Sequence, residues 1–346
     1  MFSVLPLLFS CATAPSEFLL DRYGDPKEPP ILYPDAPEKP RYRYAGQLTG
    51  EDNFVKQKGR TSLTSVFQWI TGVIAGKRVP IMLQRPQMGD VDEEFQKVYV
   101  TDVSRGALFV FDEAAGRLFV WQMAKPMVRF KSPIGVAAGK DGEVFVSDSE
   151  LAYVVRLDKD GKPVGVIGEG ELTRPTGLAR DNEQGLLYVA DSHAHNIKVF
   201  NNDGKLVNVI SKRGEEEGTL NFPTHLAFAN GKLYVSDTIN ARIQIFDGDG
   251  GFLGSIGQRG LYLGNFTRPK GVAVDGEGHI YVIESYYDFL LVYDEKGRFL
   301  LPIGGTGADI GSFYLPSGVW TDSRDRIYVA DMFNRRVVVF QYLGET

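Results

Sequence analysis

Cysteine is almost absent from this chain: one residue, Cys11, in 346. A lone thiol excludes an internal disulfide, and no C-x-x-C exists to bind a metal or run redox exchange. Histidine is nearly as scarce, four residues in all. That leaves little for a zinc centre, since closed sites take three or four converging nitrogen or sulfur ligands. Positive charge is also short, 38 Lys and Arg against 44 Asp and Glu, a formal net charge of −6. No basic field is present to collect phosphates, which sets nucleic acid aside as a partner. A nucleophile elbow and a phosphate-cradling loop are missing as well.

What the chain does contain is a period. Six strand-like runs end in an acid: Tyr99–Asp102, Phe145–Asp148, Tyr188–Asp191, Tyr234–Asp237, Tyr281–Glu284 and Tyr328–Asp331. The acids are spaced by 46, 43, 46, 47 and 47 residues. A fixed spacing of this size means one supersecondary unit, repeated because no single copy can bury its own apolar face. Each acid is followed by a second β-branched or aromatic run, such as Ile197–Phe200, Ile243–Phe246 and Val337–Phe340. Hairpin turns come next, at Asp160-Gly161, Asp203-Gly204, Asp249-Gly250 and Lys296-Gly297. A weaker strand and a Gly-rich connection then lead to a proline and a short apolar strand, as at Pro133, Pro175, Pro223, Pro269 and Pro316. Four short antiparallel strands per unit and six units predict an all-β, six-bladed β-propeller.

The unit P-x-G-[VL]-A…[IL]-Y-V-x-D-x-x-N-x-R-[IV]-x-[VI]-F resembles the NHL repeat. Residues 223–246 and 316–340 carry it almost completely, including Asn240 with Arg242 and Asn334 with Arg336. The resemblance spans Pro86 to Gln341; the first, second and fifth units depart from it in their loops and keep their strands.

The ends of the chain differ in character. Val4–Ser10 followed by Cys11 is too short to span a bilayer and resembles a bacterial lipoprotein signal, without the usual Lys or Arg before the apolar run. It implies lipidation of Cys11 and a cell-envelope location, with contact to the membrane through the anchor only. Residues 12–40 hold seven prolines and read as a semi-rigid tether. Residues 41–85 read as a closing strand plus an insertion, and 86–346 as the propeller. The sixth unit has three strands before the chain ends, which would leave an open edge. Arg41–Gln47 alternates and is the expected fourth strand. Antiparallel alternation then puts the second-to-third and fourth-to-first connections on one face, the top. The insertion falls there, with a short helix expected from Leu63, Val66, Phe67, Ile70, Val73 and Ile74 at helical spacing.

The repeated acids are expected to serve each blade by accepting backbone hydrogen bonds or pairing with Arg242 and Arg336. Binding residues are sought where a blade breaks the pattern. His225 takes a slot held elsewhere by Gly135, Gly177, Gly271 and Gly318, and Lys270 stands in the same proline step of the next blade. His193 and His195 form an H-x-H on the top face, pointing the same way if extended. Tyr286, Tyr287, Met332, Phe333 and Arg105 interrupt loops that other blades fill with polar residues, and aromatics of this kind are enriched at recognition surfaces.

Two functions follow as expectations. One is a non-catalytic, envelope-anchored propeller binding a protein or polymer through its top-face loops, with no cofactor; proteins of this kind also suggest a multihaem cytochrome complex as partner. The other is a hydrolase or lyase at the channel mouth using zinc or calcium. The resemblance implies it, since amidating lyases hold zinc on channel histidines and lactonases of this architecture hold calcium.

Overall fold

The computed structural model describes residues 16–20, 30–56 and 79–344. Cys11, the whole of the proposed signal and the helix expected from Leu63 to Ile74 lie outside them. Six antiparallel sheets stand around a central channel. Their innermost strands are Pro86–Asp92, Pro133–Ala138, Pro175–Asp181, Pro223–Ala229, Pro269–Val274 and Pro316–Thr321. The second strands end in the six repeated acids, all buried. Third and fourth strands complete each blade outward; in blade three they are Asn196–Phe200 and Leu206–Ile210.

The Y-V runs explain why the blades stack. Successive side chains of a strand face opposite ways. Tyr188 therefore packs toward blade four, while Val189 packs toward blade two. Both faces of every blade are covered, so the core is six layers between neighbouring blades rather than one central mass. Inner strands approach closely where they leave glycine. A Cβ at Gly177 would lie 2.6 Å from His225 Cα, and one at Gly271 would lie 2.5 Å from Val319 N.

The ring closes as the strand deficit requires. Tyr42–Leu48 pairs antiparallel with Arg336–Tyr342, setting Gln47 opposite Val338 and Tyr44 opposite Phe340. Tyr42 also reaches blade five, its hydroxyl 3.3 Å from that of Tyr281. One expectation needs correction. The segment read as a tether contributes strand: Leu32–Tyr33 pairs with Tyr42–Arg43 and makes the sixth sheet five-stranded. Ser16–Phe18 pairs with Phe54–Lys56. Aromatic anchoring accounts for both, because Tyr33 packs edge-on against Phe340 and Phe18 lies 5.3 Å from Phe54.

Candidate functional site

The acids are occupied by the blades. Asp148 accepts from the backbone N–H of Lys131, Ser132, Glu150 and Leu151. Glu284 accepts from Thr267, Arg268 and Tyr286. Asp237 and Asp331 accept from the Asn221 and Tyr314 N–H groups and add Asn240 with Arg242 and Asn334 with Arg336. Each therefore pins its second-to-third loop to the connection before it. Side chains next to the acids stitch blades together: Thr101 donates to the Ile134 carbonyl 2.7 Å away, and Ser236 donates to the Lys270 carbonyl.

The top face is uneven. The fourth-to-first connections into blades four, five and six share one geometry, with isolated bridges Arg213–Leu220, Arg259–Phe266 and Thr306–Phe313. At the tip of that loop blade four carries Glu215-Glu216-Glu217 and blade six Ala308-Asp309-Ile310. Blade five carries Leu261, Tyr262 and Leu263, which are 77%, 84% and 59% exposed. The signal lies in the alignment of the three connections, where apolar residues replace acidic ones, and not in the second-to-third loops.

The residues singled out from the sequence do not form one cluster. Tyr286 is exposed and stacks edge-on with the half-buried Tyr287, 4.8 Å between ring centres. Phe333 is exposed, packs on Tyr314, and lies under the Arg85 guanidinium at 5.5 Å. Arg105 is exposed on a separate cleft of about 1040 Å³ with Gln84, Asn334 and Arg335. Met332 is corrected from a surface contact to an internal one. It is 6% exposed and its sulfur accepts from Gln87 Nε2, because it faces the inner strand of blade one. His193 and His195 also depart from expectation. His195 takes a left-handed turn (φ 55°), so the segment is not extended. Its Nδ1 accepts from the Phe222 N–H at 3.1 Å, and both imidazoles lie against the Phe222 ring.

The channel holds two polar groups of different kinds. In its lower half a cavity of about 160 Å³ is lined by Leu178, Leu226, Val272, Val319 and Trp320, with Asp90 among them. Asp90 accepts from the Ala138 and Val91 N–H groups, and burial pushes its carboxyl up to about 6. At the upper end His225 is 5% exposed, and its pKa falls to about 3 through burial and then the Lys270 charge. Lys270 falls to about 8, through burial and then the charges of Arg268 and Arg85. Among the described residues, no group of three or more His, Cys, Asp or Glu stands close enough to hold a metal ion.

Comparison with known proteins agrees with this geometry. Residues 172–200 match the family model of the NHL repeat. That segment of blade three carries the NHL repeat. A human relative, NHL-repeat-containing protein 4, is 35% identical over 71 residues, 20% of this chain and 56% of that protein. The match thus spans little more than half of the relative. Solved structures share the fold of this NHL propeller at low identity. Virginiamycin B lyase from Staphylococcus aureus superposes with TM-score 0.55 at 14% identity, over 75% of this chain and 96% of its own. A gluconolactonase from Xanthomonas campestris gives 0.58 at 17%, over 76% and 89%. Kuenenia stuttgartiensis hydrazine synthase gives 0.55 at 14%, over 79% and 99%.

Proposed function

We propose that this NHL propeller is a non-catalytic binding scaffold of the bacterial cell envelope. On this reading Cys11 carries the lipid anchor and the top face holds an envelope protein or polymer. The observation that carries it is the Leu261-Tyr262-Leu263 tip, projecting from a loop frame that elsewhere carries Glu215-Glu216-Glu217. Three adjacent large apolar side chains in water cost solubility and give the blade nothing, whereas they suit a contact surface. Tyr286 extends the apolar surface on the second-to-third loop of the same blade.

The test swaps one native tip for another. L261E/Y262E/L263E, compared with wild type in capture from envelope extract, is expected to fold normally and lose the bound partner. An unchanged set of captured proteins and polymers would refute the contact surface. Tyr286→Ala/Tyr287→Ala asks the same of the neighbouring loop.

A second reading, a metal-dependent hydrolase or lyase with its site at the channel mouth, would use the unpartnered His225 Nε2 as a ligand against the Lys270 charge beside it. Elemental analysis of the purified protein separates the two. Stoichiometric zinc or calcium would replace the scaffold reading with the enzymatic one.

A further inference from the structure

The upper end of the channel carries a hydrogen-bond chain whose direction can be worked out. Thr238 Oγ1 lies 2.9 Å from the Pro269 carbonyl, which can only accept, so the Thr238 proton goes there. Thr224 Oγ1 is 2.7 Å from Thr238 Oγ1 and must then be the donor of that pair. With its own proton used, Thr224 Oγ1 accepts from His225 Nδ1, 3.1 Å away. His225 is therefore held as the Nδ1–H tautomer. Its neutrality over the physiological range follows from burial beside the Lys270 ammonium. Nε2 is left as a bare lone pair, buried and without a hydrogen-bond partner.

One cation, Lys270, acts on that imidazole, and two more act on Lys270. His225 occupies the slot whose side chain runs toward the next blade, so it meets the inner strand of blade five, where Lys270 stands. Lys270 lies within reach of Arg268 and Arg85. Arg268 is held by the Ser285 hydroxyl, and Arg85 by the Phe333 ring. None of the three cations is in an ion pair among the described residues. The repeated acids of blades five and one, Glu284 and Asp102, accept from the backbone N–H groups of Arg268 and Arg85 themselves. A positive cluster of this kind repels a metal ion and attracts an anion. The lone pair adds a second demand, since it can only accept.

From the His225 tautomer and the uncompensated Lys270, Arg268 and Arg85, we infer that the upper channel binds a small carboxylate carrying a neighbouring hydroxyl, of the 2-hydroxy-acid or uronic-acid class. The carboxylate takes the charges of Lys270 and the two arginines. The hydroxyl donates to His225 Nε2. This site is distinct from the Leu261–Leu263 tip and stands whether or not that tip holds a partner.

The test uses the full-length protein labelled with 15N-histidine. Glycolate, lactate and glucuronate are titrated against acetate and propionate, which share the charge and lack the hydroxyl. The hydroxy acids are expected to bind about tenfold tighter, the scale of satisfying one buried, otherwise unpaired acceptor, and to move the His225 Nε2 resonance. Lys270→Met should remove binding of every carboxylate. Its fold is expected to hold, because it deletes a charge that burial and two like charges oppose. L261E/Y262E/L263E should leave the titration unchanged, which separates failure here from failure of the scaffold reading. Equal affinity for glycolate and acetate, an unmoved Nε2 resonance, or a response to zinc and to none of the carboxylates would each overturn the inference. These readouts come from wild type, so they hold even where His225→Phe fails to fold.

Discussion

At the scale of single residues, the channel sets two pH dependences of opposite sign. His225 has a folded pKa depressed to about 3 from 6.5. Its contribution to stability is present above pH 6.5 and is lost as pH falls toward 3. Asp90 is raised to about 6 from 3.8, so its contribution is present below pH 3.8 and is lost as pH rises through 6. Between pH 4 and 6 the two oppose each other. His225→Gln removes one of them, so the stability difference between wild type and variant should grow with pH across that window. The change should be on the order of 1 kcal/mol, read from urea melts at pH 4, 5 and 6. Equal pH slopes for the two proteins would contradict the assignment. Arg336 is the other decisive side chain. Nearly buried, it bonds Asp331 and the Asp309 and Ser312 carbonyls. Arg336→Ala leaves the buried Asp331 carboxylate with Asn334 and the Tyr314 N–H but no countercharge, and should cost about 3 kcal/mol. The exposed Lys131–Glu150 pair is expected to contribute less than about 1 kcal/mol.

At the scale of elements, the inner strands pack backbone against backbone. Gly177→Ala would place a methyl 2.6 Å from His225 Cα and 2.7 Å from the Thr224 carbonyl oxygen. Backbone cannot yield there, so the variant should lose several kcal/mol in thermal or urea melts, at the high end for a single substitution. Gly165→Ala, on the outer strand of blade two with open space around it, is the control and should be close to neutral. Here the sequence was informative in an indirect way. Gly at four of the six slots marked the close approach, and His225 in the same slot marked an exception. It could not show that the exception sits beside Lys270, 45 positions further on, because that meeting depends on which blades are neighbours.

For the whole molecule, closure is the critical event. Without Tyr42–Leu48, the strand Arg336–Tyr342 would present an unpaired edge and uncover Val338 and Phe340. Deleting residues 1–48 should therefore abolish the cooperative melt and produce aggregates in size-exclusion chromatography. A soluble variant with an unchanged melting temperature would show that the ring does not depend on this strand. The tip exchange belongs at this scale too. Its frame already tolerates three glutamates between blades three and four, so stability should change by no more than about 0.5 kcal/mol while partner capture is lost.

The amino-acid order alone determined the four-strand blade unit, the blade number, the closing strand and the duty of the repeated acids. Those features repeat, and a repeat is visible because each copy meets the same local demands of pleat, turn and loop anchoring. Tertiary structure alone decided that Met332 is internal, that His195 is bent onto Phe222, and that His225 and Lys270 converge. Such facts depend on which blades stand side by side and on how inner strands splay around a channel. No local pattern encodes that geometry, because it exists only once the ring has closed.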